Sequence, residues 1–151
     1  MAAWGDAAAW QGLVSGTTCP ICVRGEPSHL IAEVEGCWLT MGDEIAPALP
    51  GTCALFHKRH VVELHELSST EAAAFIGAVQ QVAALLQSVS GAVKINYEVH
   101  GNTIPHLHMH FFPRYRGDPF ERGPVDPKRA GSRDDLRRHL AIRHKLIEAL
   151  A

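Results

Sequence analysis

Histidine alternates with large apolar residues in His106-Leu107-His108-Met109-His110-Phe111-Phe112, the stretch of this sequence that most directly predicts its fold. Side chains in a β-strand point to opposite faces in turn. The pattern therefore predicts a strand with three imidazoles on one face and Leu107, Met109 and Phe111 on the other. We interpret the apolar face as part of the core and the imidazole face as the place where chemistry occurs.

A row of imidazoles suits work on an anionic group. Neighbouring side chains on one face of a strand stand about 6.6–7 Å apart, so three of them span a phosphoryl group and its leaving group. Near pH 7 a neutral ring is a nucleophile or ligand, and a protonated ring donates to anionic oxygen. Two alternatives stay open: a solvent-facing strand that happens to use histidine, and a hydrolytic metal centre held by the row. The strand contains no Asp or Glu, which such centres usually recruit.

The composition is that of one soluble globular domain. The 151 residues carry 14 Lys+Arg and 16 Asp+Glu, for a formal charge of -2, and 46% are hydrophobic. A chain of this length buries a core, which excludes disorder as its main state. The near-neutral charge excludes a general binder of nucleic acid polymers, which needs clustered cations. We find no apolar run of membrane length and no signal peptide, so we expect a cytoplasmic protein without a membrane partner.

The strands and helices predict an α+β fold. Short apolar stretches and apolar–polar alternation predict strands at 29–34, 37–41, 52–56, 93–99 and 106–112. Strands grouped around two main helices, rather than in strict β-α alternation, favour a mostly antiparallel sheet. We expect a single domain over 17–151, including a C-terminal arm and helix, and treat 1–16 as an N-terminal extension without a defined element.

The first main helix is predicted to begin after Ser68. Ser68 and Glu71 have the spacing of a capping box, and apolar residues follow at alternating spacings of four and three. Gly91 is the expected end of this helix.

The second main helix follows an irregular arm at 113–131 that is rich in Pro and Gly. Ser132 and Asp135 again have capping-box spacing. We interpret the charged residues of this helix, with His139 and His144, as its solvated face. The residues expected to be buried are Leu136, Leu140, Leu146, Ile147 and Leu150.

The four cysteines do not suggest disulfides. Cys19 and Cys22 form a Cys-Pro-Ile-Cys knuckle, whereas Cys37 and Cys53 are isolated and are interpreted as small buried hydrophobes. The knuckle alone leaves three possibilities open: a redox pair, half of a zinc site, or coincidence.

The histidine stretch resembles the His-φ-His-φ-His-φ-φ signature of the histidine triad (HIT) superfamily. Its surroundings, Asn96-Tyr97, Gly101-Asn102-Thr103-Ile104-Pro105 and Pro113-Arg114-Tyr115, resemble those of bacterial HIT proteins. The resemblance covers roughly Cys19 to Tyr115. It implies a HIT-like α+β fold with an antiparallel sheet, a homodimer, and a small-molecule nucleotide substrate whose nucleotidyl group is transferred or hydrolysed.

The resemblance also implies roles for three catalytic residues. His108 matches the nucleophile that attacks the α-phosphorus and forms a covalent nucleotidyl-histidine. His110 matches the histidine that contacts the phosphate oxygens, and Thr103 occupies the Ser/Thr position that hydrogen-bonds the phosphate or leaving group.

Four substrate-binding residues are implied in the same way. Asn102 stands where many family members have Gln, and Asn96 resembles the Asn that supports the phosphate and ribose side of the site. A ribose-binding acid is expected upstream of His60, at Asp43 or Glu44.

The Cys-x-x-Cys knuckle resembles the start of zinc-containing HIT proteins, in which a Pro-Lys-x-His segment and the first triad histidine complete the metal site. The implied ligands are Cys19, Cys22, His60 and His106. A closed set of two Cys and two His indicates a structural zinc. His57 stands where that segment usually has proline, which leaves open whether it competes as a ligand.

Three functions are weighed. We favour a zinc-stabilised nucleotide hydrolase or nucleotidyl transferase. Phosphorolytic cleavage of dinucleoside polyphosphates is kept open as a variant of this enzyme. The alternatives from other classes are a nucleotide-binding or sensory module with little turnover and a zinc-knuckle interaction protein. The last needs basic or aromatic residues around the knuckle, and only Arg24 lies close to it.

The expected dimer interface consists of the helix at 69–89 and the strand at 92–99. His65 and His100 are interpreted as polar surface residues.

Overall fold

The computed structural model describes residues 3–151 and contains one five-stranded antiparallel sheet in the order β1-β2-β3-β5-β4. The strands are β1 (Leu30–Val34), β2 (Cys37–Thr40), β3 (Cys53–His57), β4 (Lys94–Glu98) and β5 (His108–Arg114). The helices are α1 (Ala7–Val14), α2 (Pro20–Arg24), α3 (Ser69–Ser90) and α4 (Arg133–Leu150). The expected α+β fold with an antiparallel sheet and two main helices, α3 and α4, is confirmed.

One face of β5 packs in the core and the other carries the histidines, as the alternation predicts. Met109 lies opposite Leu55 of β3, and both side chains belong to the core. His108 lies opposite Phe56 on the other face. Because the side-chain period of a strand is two, this register places His110 on the same face as His108.

The predicted start of this strand is wrong. β5 begins at His108 rather than His106, and it continues to Arg114. Pro105 has no N–H, and the His106 N–H donates to the Ile104 carbonyl in a tight turn at 2.8 Å. His106 is therefore outside the sheet ladder, and its ring is free to point away from the other two imidazoles.

The first main helix agrees with its sequence signals. The Ser68 and Glu71 side chains cap each other's backbone N–H groups, and Gly91 ends α3 in the left-handed region with φ 69°. The helix packs against the sheet through Phe75, Val82 and Leu86. By length and composition alone α3 is apolar enough to cross a membrane, with a mean hydropathy of 1.5. The core helix of a globular domain can have the same property, and α3 buries these side chains in the core.

The buried face of α4 differs from the prediction. The Ser132–Asp135 capping box is present, but the buried residues are His139, Ile142 and Leu146. Leu140, expected in the core, is 41% exposed. Histidine counts as a polar residue in an amphipathic pattern, so the sequence predicts that the face of α4 containing His139 is exposed to solvent.

The N-terminal extension contains a helix that the sequence analysis did not expect. Asp6 caps α1 by accepting a hydrogen bond from the Ala9 N–H at 3.0 Å. Alanine has the highest helix propensity, so one cap is enough to define the start. The division at residue 16 into extension and domain stays a prediction.

The arm at 113–131 is irregular but anchored. Asp118, whose side chain is 4% exposed, accepts hydrogen bonds from Arg114 Nε at 2.8 Å and Nη2 at 2.9 Å. The backbone N–H groups of Tyr115 and Phe120 also donate to Asp118. This buried pair holds the arm against the end of β5, beside the face that carries the histidines.

Candidate active site and metal centre

Cys19, Cys22, His60 and His106 form a compact cluster, with their ligand atoms within 4.8 Å of one another. His106 Nδ1 lies 3.6 Å from Cys19 Sγ and 3.7 Å from Cys22 Sγ. His60 Nδ1 lies 3.3 Å from Cys22 Sγ and 3.2 Å from His106 Nδ1. Tetrahedral zinc separates its S and N ligands by about 3.6 Å and two N ligands by about 3.3 Å. The spacing and the donor types therefore fit zinc.

Both imidazoles of this cluster are oriented by backbone carbonyls. His60 Nε2 donates to the Val14 carbonyl at 2.8 Å, and His106 Nε2 donates to the His57 carbonyl at 2.7 Å. With the proton on Nε2, each Nδ1 presents its lone pair to the cluster, which is the arrangement that metal-binding histidines adopt. The N-terminal helix α1, which ends at Val14, thus contacts the cluster directly.

His57 is not one of the clustered donors. Its Nδ1 lies 3.0 Å from the Arg59 carbonyl, and its own carbonyl accepts from His106. The residue therefore supports the cluster through its backbone, and the four clustered donors are those of the predicted set.

The tautomer of His108 is determined by the preceding turn. His108 Nδ1 donates to the His106 carbonyl at 2.7 Å, so Nε2 carries the lone pair. The Phe56 ring stacks on the imidazole with centroids 4.5 Å apart. Burial lowers the pKa of His108, so the ring is neutral near pH 7. This ring nitrogen is positioned as a nucleophile.

His110 is the hydrogen-bond donor to His108. Their Nε2 atoms lie 3.1 Å apart, and because His108 Nε2 has no proton, His110 Nε2 must carry one. Phe112 stacks on the His110 ring at 5.9 Å. Burial lowers the pKa of His110 to about 4, with a further contribution from His108. The pair therefore consists of one neutral acceptor and one neutral donor.

Two cavities meet at His110. The larger, of about 530 Å³, is lined by His108, His110, Asn102 and Thr103, together with Glu98 and His100, which are hydrogen-bonded to each other. Asn102 and Thr103 therefore lie in the same cavity as the histidine pair.

The second cavity, of about 350 Å³, contains both predicted acids. Asp43 and Glu44 line it with His110, and Asp43 Oδ1 lies 3.9 Å from His29 Nδ1. The Asp43 side chain is 70% exposed and accessible to a ligand. The two cavities share Pro47 and Thr52.

Asn96 is the predicted site residue that the structure holds elsewhere. Asn96 lies opposite Phe112 of β5, on the face of the sheet that carries His108 and His110. Its Oδ1 accepts a hydrogen bond from Arg114 Nη1 at 2.6 Å. Its amide thus joins β4 to the Arg114–Asp118 anchor rather than the histidine pair.

His139 is the site residue that sequence analysis missed. It was assigned to the solvated face of α4, but it is 2% exposed and lines the cavity that contains Asp43. No motif marks it, because a single histidine among arginines on an amphipathic helix is typical of solvent exposure. The stacking partner Phe56 was also missed, since cross-strand register is not visible in one strand's sequence.

The buried histidines make stability depend on pH. The unfolded chain protonates His110 near its ordinary pKa of 6.5, whereas the folded protein does so near 4. Stability from this residue is therefore complete above about pH 6.5 and is lost as the pH falls toward 4. Denaturant unfolding between pH 7 and 4 should show a smaller loss of unfolding free energy for His110→Gln than for the wild type. An imidazole NMR titration that places the His110 midpoint at 6.5 or above would contradict this expectation.

Comparison with known proteins agrees with this arrangement. A model of the HIT domain family matches residues 24–117. The asymmetrical bis(5'-nucleosyl)-tetraphosphatase of Schizosaccharomyces pombe is 29% identical over 79 residues, which span 49% of this chain and 43% of that enzyme. The chain therefore matches less than half the length of this curated relative.

Solved structures show the same fold. A histidine triad protein from Sinorhizobium meliloti 1021 is 28% identical, with a TM-score of 0.64 over 81% of this chain and 88% of that one. A zinc-bound histidine triad family protein from Mycobacterium smegmatis is 22% identical, with a TM-score of 0.62 over 89% of this chain and 99% of that one. With more than half of its residues matched by the family model, and with this sheet, the chain belongs to the HIT domain family.

Proposed function

We propose that this protein is a nucleotide hydrolase or nucleotidyl transferase that acts at an α-phosphate through a covalent intermediate on His108. One observation carries the proposal: His108 Nδ1 donates to the His106 carbonyl at 2.7 Å, which leaves an unprotonated Nε2 at the cavity that Thr103 and His110 line. Membership of the HIT family and the similarity to a dinucleoside tetraphosphatase support nucleotide hydrolysis.

The first step forms a bond between His108 Nε2 and the α-phosphorus and breaks the bond from phosphorus to the leaving oxygen. The leaving group departs with the electron pair, and the Thr103 hydroxyl stabilises the developing charge on its oxygen. The His106 carbonyl stabilises the positive charge that the ring acquires. Water then attacks the phosphorus, and the bond from phosphorus to Nε2 breaks with its electron pair returning to the ring, which restores neutral His108. The nucleoside monophosphate is released, and the proton lost by the water passes to solvent.

His110 changes partner during this step. Its Nε2–H donates to His108 in the structure, and it is free to donate to a phosphate oxygen once His108 Nε2 has bonded to phosphorus. Because the folded protein keeps this ring neutral near pH 7, the donor is an uncharged N–H. We assign Asp43 and Glu44 to the ribose hydroxyls and Asn102 to the phosphate side.

The alternatives differ in what the histidine pair does. A sensory module binds nucleotide without forming the N–P bond, and a phosphorolytic enzyme transfers the nucleotidyl group to inorganic phosphate instead of water. The ordered His108–His110 pair favours turnover over binding alone. Product analysis of a dinucleoside tetraphosphate reaction with and without inorganic phosphate separates the two enzymatic forms.

Replacement of the nucleophile tests the mechanism. His108→Ala should abolish turnover but retain nucleotide binding, whereas His110→Ala should slow turnover by about 10²–10³-fold, the effect of one lost donor to the transition state. Rapid quench with labelled substrate and mass spectrometry should place the label on His108 in the wild type. The exposed His144 provides the control, since His144→Ala should leave the rate unchanged. Label on His110, or full activity of His108→Ala, would contradict the mechanism.

We also propose that the Cys19–Cys22–His60–His106 cluster holds a structural zinc. All four tetrahedral positions would be occupied by protein donors, so the metal would stabilise the fold without an open position for substrate. The zinc-bound protein from Mycobacterium smegmatis, which has the same fold, supports the proposal.

The zinc proposal predicts about one zinc per chain. Cys22→Ser and His60→Ala should lower both zinc content and melting temperature, because metal binding adds directly to folding free energy. Cys37→Ala removes a buried thiol outside the cluster and should keep its zinc. The measurements are elemental analysis and thermal unfolding with a chelator. A wild type that contains no zinc and keeps its melting temperature in chelator would overturn the proposal.

We propose, finally, that the protein is a homodimer that pairs through α3 and β4. β4 is an edge strand, so one side of its backbone is unpaired, and Val93, Tyr97 and Val99 are exposed apolar residues next to it. Ile76 adds an exposed apolar side chain on α3.

Sedimentation tests the dimer. The wild type should sediment at about twice its chain mass of 16.4 kDa at micromolar concentration. Ile76→Glu should shift it toward the monomer, because a charge in an apolar interface is desolvated. Leu140→Glu, at an equally exposed apolar residue on α4, should not. A wild type of 16.4 kDa would rule out the dimer.

A further inference from the structure

The C-terminal helix α4 lies outside residues 24–117, which the HIT family model matches, yet it contacts the cavity beside His110. The contact is made with the β2–β3 loop, defined as residues 41–52. This loop carries Asp43 and Glu44 and forms one wall of the 350 Å³ cavity.

His139 bridges the two ends of the β2–β3 loop. The Gly51 N–H donates to His139 Nδ1 at 3.1 Å, and His139 Nε2 donates to the Gly42 carbonyl at 2.9 Å. The first bond requires a lone pair on Nδ1 and the second requires a proton on Nε2, so the pattern defines a single neutral tautomer. Burial lowers the pKa of His139, which keeps the ring in that form.

Two more hydrogen bonds join α4 and the residue two positions before it to the same loop. Arg143 Nε donates to the Met41 carbonyl at 3.1 Å, and the Gly131 N–H donates to the Ile45 carbonyl at 2.9 Å. All of these bonds go to the loop backbone, so they position the chain whatever its side chains are.

Gly51 shows how closely the loop is packed. Its φ of 96° lies in the left-handed region, and a Cβ there would come within 3.1 Å of Pro113 and 3.4 Å of Ile142. The loop therefore has little room to shift toward α4. His139 holds it from the same side through hydrogen bonds, which also prevents movement away.

The histidine pair is held by other contacts. His108 is oriented by the His106 carbonyl and by Phe56, and neither contact involves α4. Displacement of the β2–β3 loop would therefore move Asp43 and Glu44 while leaving the nucleophile in place. This separation makes the role of His139 measurable.

We propose that His139 is a positioning residue that holds the β2–β3 loop in place, so that its carboxylates face the nucleoside part of the substrate in the cavity beside His110. The inference rests on the proposed nucleotide chemistry and deepens it. The proposal gives α4 a role in nucleoside recognition, because the His139 side chain of α4 joins the two ends of the β2–β3 loop, whose carboxylates are proposed to bind the ribose.

The test uses three variants of the full chain. His139→Leu removes both hydrogen bonds while filling the space, and His139→Gln keeps a donor near the position of Nε2. Leu146→Ala is the control, because it weakens the packing of α4 in the core without removing a hydrogen bond to the loop. All are measured at one temperature, well below the melting temperature of the least stable variant.

The readouts are calorimetric binding of AMP, GMP and inorganic phosphate, and the steady-state constants for a dinucleoside tetraphosphate. His139→Leu should weaken AMP and GMP binding and raise KM by about tenfold or more, as expected for lost hydrogen bonds in a binding site. Phosphate binding and kcat should change by less than about threefold, because His108 and His110 are not displaced. His139→Gln should recover most of the lost affinity, and Leu146→Ala should lower the melting temperature only.

The outcomes separate this inference from the proposed function. If the wild type binds and cleaves nucleotides and His139→Leu does so equally well, the positioning role is wrong and the proposed function stands. If Leu146→Ala weakens AMP binding as much as His139→Leu does, the cause is a general loosening of α4, and the positioning role is also wrong. A wild type that binds no nucleotide overturns the proposed function and this inference together.

Discussion

The hydrogen bond from His108 Nδ1 to the His106 carbonyl is the contact on which the rest of the site depends. It selects the tautomer that leaves Nε2 unprotonated, and it does so through the backbone of a residue whose ring belongs to the Cys2His2 cluster. His106 is thus connected to both groups, by its ring to the Cys2His2 cluster and by its carbonyl to His108. Because both contacts belong to one residue, a movement of the cluster would shift the carbonyl that orients His108.

Burial provides the second constraint. His106, His108 and His110 lie close together, and desolvation is the largest cause of the lowered pKa in each. Three protonated imidazoles in this space would repel one another, whereas neutral His108 and His110 hydrogen-bond to each other and neutral His106 hydrogen-bonds to the backbone. Sheet register also contributes, because β3 places Phe56 against the His108 ring. The neutral, ordered form of the row is therefore a property of the fold and not of histidine alone.

Segments at both ends of the chain support the site through main-chain hydrogen bonds. The Val14 carbonyl at the end of α1 accepts from His60, and His139 of α4 joins Gly42 to Gly51. In each contact the partner of the histidine is a backbone carbonyl or N–H, which any residue type can supply except that proline lacks the N–H, so no second side chain marks the contact in the sequence. This is why neither segment was assigned a role from its sequence.

Local patterns in the sequence were sufficient for the sheet faces of β5 and for both capping boxes, because alternation and cap spacing depend on residues close together in the chain. The set of four clustered Cys and His donors was implied by the family resemblance, because the knuckle alone does not identify His60 and His106. Only the tertiary structure decided that β5 begins at His108, that Asn96 pairs with Arg114, and that His139 is buried beside the cavity that Asp43 lines. Each of these depends on which distant segment packs against the residue. Hydrogen-bond partners and desolvation arise from that packing, and residue type and spacing do not specify it.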